Sequence, residues 1–207
     1  LHRLIRRQRQ MCIRDRSISD VEVANTTYTG SALDLVVTAK DGETVLTEGT
    51  DYFLTFKDAD GNEISADSIV QADTYTVVVN GVGSYGGIQE IQFTVEPKQT
   101  TLSVTTDPAS ATYDGTSKTP TVEVKDGDQT LVAGTDYKIT YIYGEETSAK
   151  DFAGAEFVEA GSYKLVITGI GNYAGSTGET VFEIKKDSTG TDDTNKGDDK
   201  KDDTNKG

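Results

Sequence analysis

The chain has 207 residues, of which 34% are hydrophobic, 8% aromatic and 27% charged. That length suggests one or two domains of about 100–200 residues each. No apolar run approaches the roughly 20 residues that cross a bilayer, and a formal charge of −15 argues against nucleic acid as a partner. A single Cys rules out an internal disulfide, and a single His leaves little for metal or acid–base chemistry.

The first sixteen positions stand apart. All six Arg (Arg3, Arg6, Arg7, Arg9, Arg14 and Arg16) lie there, with the only His (His2), Cys (Cys12) and Met (Met11). The run Arg6-Arg-Gln-Arg-Gln-Met-Cys-Ile-Arg-Asp15 resembles an in-frame translation of the transposase adapter used in sequencing libraries. Residues 1–16 are therefore expected to be an assembly artefact, disordered and outside the fold. They contain no apolar stretch of the kind a secretory signal needs. The remainder, 17–207, carries fourteen Lys against thirty-four Asp and Glu and no Cys, a composition that suits an exported protein.

Two copies of one unit follow. Lys40-Asp-Gly-Glu-Thr-Val-Leu-Thr-Glu-Gly-Thr-Asp-Tyr52 recurs as Lys125-Asp-Gly-Asp-Gln-Thr-Leu-Val-Ala-Gly-Thr-Asp-Tyr137. Tyr28-Thr-Gly30 matches Tyr113-Asp-Gly115, and Thr74-Tyr75 matches Ser162-Tyr163. Gly81-Val-Gly-Ser-Tyr-Gly-Gly87 matches Gly169-Ile-Gly-Asn-Tyr-Ala-Gly175, and Phe93-Thr-Val95 matches Phe182-Glu-Ile184. The repeats are placed at 17–97 and 98–186.

Each repeat predicts strands: Val, Thr, Ile and Tyr dominate the ordered runs, and Gly, Asp and Asn interrupt them at the spacing of a sandwich. The Lys-Asp-Gly steps at 40–42 and 125–127 predict tight turns, where Gly accepts positive φ. Comparing the copies separates the strand faces. Tyr52, Leu54 and Phe56 point inward with Tyr137, Ile139 and Tyr141, whereas Lys138 opposite Phe53 marks an outward position. Tyr75, Val77 and Val79 are expected inside, with Tyr163, Leu165 and Ile167. So are Val37 and Ala39 with Val122 and Val124, and Phe93 and Val95 with Phe182 and Ile184. The fold class is all-β: two tandem Ig-like antiparallel sandwiches followed by a disordered acidic tail.

The ordered series Tyr-Asp-Gly, Lys-Asp-Gly, Gly-Thr-Asp-Tyr, Gly-Ser-Tyr and Gly-x-Gly-Asn-Tyr-x-Gly resembles the tandem Ig-like repeats of large bacterial surface proteins, some named for Tyr-Asp-Gly. The likeness is stronger in the second repeat than in the first, where Tyr-Thr-Gly and Ser-Tyr-Gly-Gly depart from it. The resemblance implies a fold and a stalk-like setting but no catalytic residue.

The tail, 187–207, repeats Asp-Asp-Thr-Asn-Lys-Gly at 192–197 and 202–207 without an apolar residue, and is expected to stay disordered. It resembles a wall-spanning linker of Gram-positive surface proteins. It carries no sorting motif, so attachment to the wall is expected through sequence beyond this chain.

Chemistry finds few candidates. A Ser–His or Cys–His pair is absent once the leader is set aside, and zinc fails for the same reason. Glycoside hydrolysis needs two carboxylates across a cleft. Asp51 and Asp136, at equivalent places, are better explained by a turn or hydrogen bond shared by both repeats. Asp58-Ala-Asp-Gly-Asn-Glu63 is too compressed for an EF-hand calcium loop, and predicts a hairpin turn. No cofactor and no metal is expected.

Eight of the ten Tyr pair between copies, as framework residues do: 28/113, 52/137, 75/163 and 85/173. Phe53, Tyr143, Phe152 and Phe157 are unpaired, and strand phase turns only Phe53 outward, making it the one weak candidate for ligand contact. Every Lys of the repeats falls in a turn, a loop or an outward position, which argues against an intramolecular Lys–Asn or Lys–Asp crosslink.

The expectation is a non-enzymatic spacer at the bacterial cell surface, displaying a distal domain away from the envelope. The alternatives are an adhesin module for a host protein or glycan, and accessory repeats of a secreted glycan-active enzyme.

Overall fold

A computed structural model describes residues 16–187. The expectations for the leader and tail otherwise lie outside the described residues. Arg16, assigned above to the leader, is the first strand residue. It pairs in parallel with Tyr85, as Ser17 does with Gly86.

The described chain is all-β, and its helices are two single turns of 3-10 type, Ala66–Ser68 and Gly171–Tyr173. In the first repeat, Asp20–Val23, Val37–Asp41 and Thr44–Val45 form a three-stranded antiparallel sheet. It faces a five-stranded sheet in the order Thr26–Thr27, Ile88–Glu96, Thr74–Gly81, Tyr52–Lys57, Glu63–Ile64. The second repeat has the same plan. Ser103–Asp107, Thr121–Asp126 and Gln129–Thr130 face Ser110–Thr112, Thr177–Lys185, Gly161–Gly169, Tyr137–Tyr143 and Lys150–Asp151.

One edge of each larger sheet departs from the antiparallel expectation. Thr26–Thr27 runs parallel to Ile88–Glu96, and Ser110–Thr112 runs parallel to Thr177–Lys185. The physical reason is a sheet switch: the first strand of each repeat starts on the small sheet, breaks, and continues on the large one. The other pairs of the three- and five-stranded sheets are antiparallel, and the phase is the one read from the duplication. Tyr75, Val77 and Val79 are buried with Phe93 and Val95, as are Tyr163, Leu165 and Ile167 with Phe182 and Ile184.

Side chains from both sheets share each core. Ala39 of the small sheet packs with Phe56, Val77 and Phe93 of the large one. Phe157, which takes the place of Ile69 in the first repeat, is fully buried and stacks on Tyr163 at 4.1 Å and 13°, an arrangement that contributes beyond area burial alone. Val78 has an outward phase yet is buried at the centre of its sheet, between Thr55 and Glu90 in register. The turn glycines Gly42 and Gly127 both take φ of 60°, which closes the hairpins that the Asp-Gly steps predict.

Candidate functional site

The duplicated carboxylates hold turns. Asp51 Oδ2 accepts from the Thr47 amide at 2.9 Å, and Asp136 Oδ2 accepts from the Val132 amide at 2.8 Å. In each case the backbone N–H of the same Asp donates to the same partner's carbonyl. Both groups are thereby used in capping the loop before the strands at Tyr52 and Tyr137. Asp58 does the same in its hairpin: Oδ1 accepts from the amides of Asp60 and Asn62, and the Asn62 side chain bonds both oxygens. Those bonds, the Asn62 side chain first, hold its carboxyl below the usual range. Lys118 and Thr116 hold Asp114 well below it in the same way. Among the described residues, no three His, Cys, Asp or Glu side chains gather as a metal site.

Phe53 is 46% exposed. Register places it in a cross-strand row with Asn80 and Ile88 on the outer face of the five-stranded sheet. Ile88, 64% exposed, was not singled out in the sequence. Its signal was available, since the corresponding row of the second repeat is Lys138, Thr168 and Thr177, all polar. Tyr113 differs from what its pairing with Tyr28 suggested: it is 39% exposed rather than part of a core.

A more elaborate arrangement lies where the repeats meet. Asn172, in the second repeat's single turn, accepts at Oδ1 from the Ala72 amide at 2.8 Å, and its Nδ2 donates to Gln71 Oε1. Its carbonyl accepts from the Lys98 amide at 2.8 Å. Beside it, Tyr28 meets Tyr173 edge to face, with ring centroids 5.7 Å apart. Tyr28 thereby touches the cores of both repeats.

The connecting segment is laced along the same loop. Ser176 Oγ, fully buried, donates to the Lys98 carbonyl at 2.8 Å and accepts from the Thr100 amide at 3.0 Å. Gly169 permits this approach, because a Cβ there would sit 2.0 Å from the Tyr173 carbonyl oxygen.

Charge completes the joint. Lys98 bonds Asp126, whose side chain is only 12% exposed. Burial, followed by the charge of Asp126, pushes the Tyr173 phenol up to about 12. Lys98 thus sits in a loop, as expected, but beside a sheltered acid. Arg16 holds the matching place at the start of the first repeat, where Tyr85 first and the charge of Asp41 after it raise its guanidinium above the usual range.

No family model matches the chain, and no curated protein matches it. Among solved structures it is similar to one described as "Structures of Clostridium thermocellum CbhA fibronectin(III)-like modules", at 13% identity. The match covers 81% of this chain and 95% of that one, with a TM-score of 0.27. So low a score carries no weight, and the sandwich architecture stands on its own sheets.

Proposed function

We propose that this chain is a non-catalytic spacer of a bacterial surface protein, built from Ig-like repeats of the Tyr-Asp-Gly type and placed outside the cell. The joint carries this reading. Its clasp uses residues that the duplication does not share: Asn172 replaces Ser84, and Gln71 is matched by Glu159. Difference between copies is therefore spent on fixing one repeat against the next rather than on a reactive group. The two bonds of the Asn172 side chain to Ala72 and Gln71 and the Tyr28–Tyr173 ring contact together limit bending more than Pro97 alone would. A spacer needs that property, since a loose joint would shorten the mean reach of whatever it carries.

Residual dipolar couplings on the full chain provide the test. One alignment tensor fitting both repeats supports a rigid spacer, and two independent tensors would overturn it. The adhesin reading is favoured by one observation, the apolar row at Phe53 and Ile88. Saturable binding to host matrix proteins or glycans, lost in Phe53→Lys, would establish it instead.

A further inference from the structure

The joint has a presenting side and a receiving side. On the first repeat, the presenting side comprises Tyr28, Gly30, Gln71 and Ala72. On the second, the receiving side comprises Gln129, Asn172 and Tyr173. Gln129 takes part because its Oε1 lies 3.6 Å from where a Cβ on Gly30 would stand.

The second repeat has a presenting side of its own. Tyr113 occupies the place of Tyr28: the Tyr28 amide donates to the Glu96 carbonyl and the Tyr113 amide to the Lys185 carbonyl, both at 2.8 Å. Gly115 occupies the place of Gly30, with φ of 80° against 85°. Glu159 and Ala160 occupy the places of Gln71 and Ala72. The match is structural as well as sequential, because the Tyr75 hydroxyl donates to the Gln71 carbonyl just as the Tyr163 hydroxyl donates to that of Glu159.

What differs is the covering. Tyr28 is packed against two cores, whereas Tyr113 is 39% exposed and has no ring partner among the described residues. A Cβ on Gly115 would meet nothing within 4 Å. The chemistry that the clasp requires is still present. Gln71 serves by accepting from an amide N–H at its side-chain oxygen, and a Glu carboxylate accepts at least as well, with charge assistance. The Ala160 backbone occupies the place from which the Ala72 amide donates to Asn172.

We propose that the Tyr113 end of the second repeat is a docking surface for a further unit of this same repeat, which seats its Gly-Ile-Gly-Asn-Tyr loop on Tyr113, Gly115, Glu159 and Ala160. The opposite end of the first repeat is a weaker receiving side, because it offers Ser84 and Thr44 where the second repeat has Asn172 and Gln129. The joined geometry is heterologous: one face meets a different face, so a single kind of contact can extend a row of units. The inference rests on the joint and holds whether the row serves as a spacer or as an adhesin.

The experiment extends the full chain by inserting a second copy of residues 97–186 after Lys185, ahead of the native tail. A soluble paramagnetic probe reads the exposure of each Tyr ring by NMR. In the original chain Tyr113 is expected to broaden strongly and Tyr28 weakly. In the three-repeat chain the broadening of Tyr113 should fall several-fold, to the level of Tyr28, with new Overhauser contacts to the added copy of Tyr173. Tyr113→Ala should then separate the alignment tensors of the second and third repeats while leaving those of the first two together.

Unchanged broadening of Tyr113 beside a folded third repeat overturns the proposal. So does a third repeat without dispersed amide signals, because the same sequence folds in second place behind a joint. Inserting six Gly and Ser residues before the third repeat separates docking from mere tethering: shielding that persists supports docking, and shielding that vanishes refutes it. Loose coupling between the first and second repeats would overturn both readings, whereas a tight first joint beside an exposed Tyr113 overturns this proposal alone.

Discussion

The two repeats carry the same residue types through their strands and diverge at their ends and outer faces. Tyr75 over Phe93 in one and Tyr163 over Phe182 in the other occupy matching registers. Asn172 and Ser84, Phe53 and Lys138, and Ile88 and Thr177 sit at matching backbone positions with unlike chemistry. Shared residues therefore report what a sandwich needs, and unshared ones report what each copy does with its neighbours. Tyr28 and Tyr113 sharpen the rule, since identical residues at identical sites differ in exposure solely through what lies next to them.

The strongest way to break that comparison is through the cores. Tyr75→Ala and Tyr163→Ala should each cost on the order of 3 kcal/mol, as truncations of large buried aromatics do, read by denaturant melts of the full chain. Unequal losses would mean that the two cores are not equivalent. Replacing the clasp should cost less. Asn172→Ala removes side-chain bonds to Gln71 and Ala72, worth about 1 kcal/mol each, while Ser84→Ala should change little. A similar loss from both would dismiss Asn172 as the residue that makes the joint.

Alkaline titration probes the same place. The Tyr173 phenol titrates near 12 when folded and near 10 when unfolded. Between those values the unfolded chain binds fewer protons, so stability is fully present below pH 10 and falls as pH rises through the folded value. Thermal midpoints should drop over that window, and Tyr173→Phe should flatten the drop. An unaltered slope in the variant would assign the effect elsewhere.

Phe53→Lys, which copies Lys138 into the first repeat, should shift stability by less than about 0.5 kcal/mol. The smallest expected effect is none: the intact mass of the chain should equal the sum of its residues. Loss of one water would reveal an amide between a Lys and an acid, for which Lys98 and Asp126 are the best-sheltered ion pair among the described residues.

Strand identity and phase were legible because the duplication supplied a second sample of each position, and alternation is a local property. Burial of Ile69 and Phe157, which hold matching places in the two repeats, was not, since neither lies in a strand whose alternation could reveal it and both are buried by contacts distant in sequence. The joint was less legible still. Asn172 meets Ala72 across a hundred residues, and no periodicity encodes such a pairing. Its traces were departures between copies, among them Asn for Ser in a loop that also changes Val to Ile and Gly to Ala. The parallel edges escaped notice because a break and sheet switch leaves the alternation of side chains on either side intact.

Those parallel edges set how each repeat responds to tension. Thr26 and Thr27 lie beside Val95 and Glu96, near where the chain leaves the first repeat, and Ser110 to Thr112 lie beside Glu183 to Lys185 in the second. In a parallel pair, pulling the entry strand one way and the exit strand the other loads the rungs together, in shear, instead of unzipping them singly. The second repeat holds three such residue pairs against two in the first, so there a load drawn along the chain is shared by three rungs rather than two.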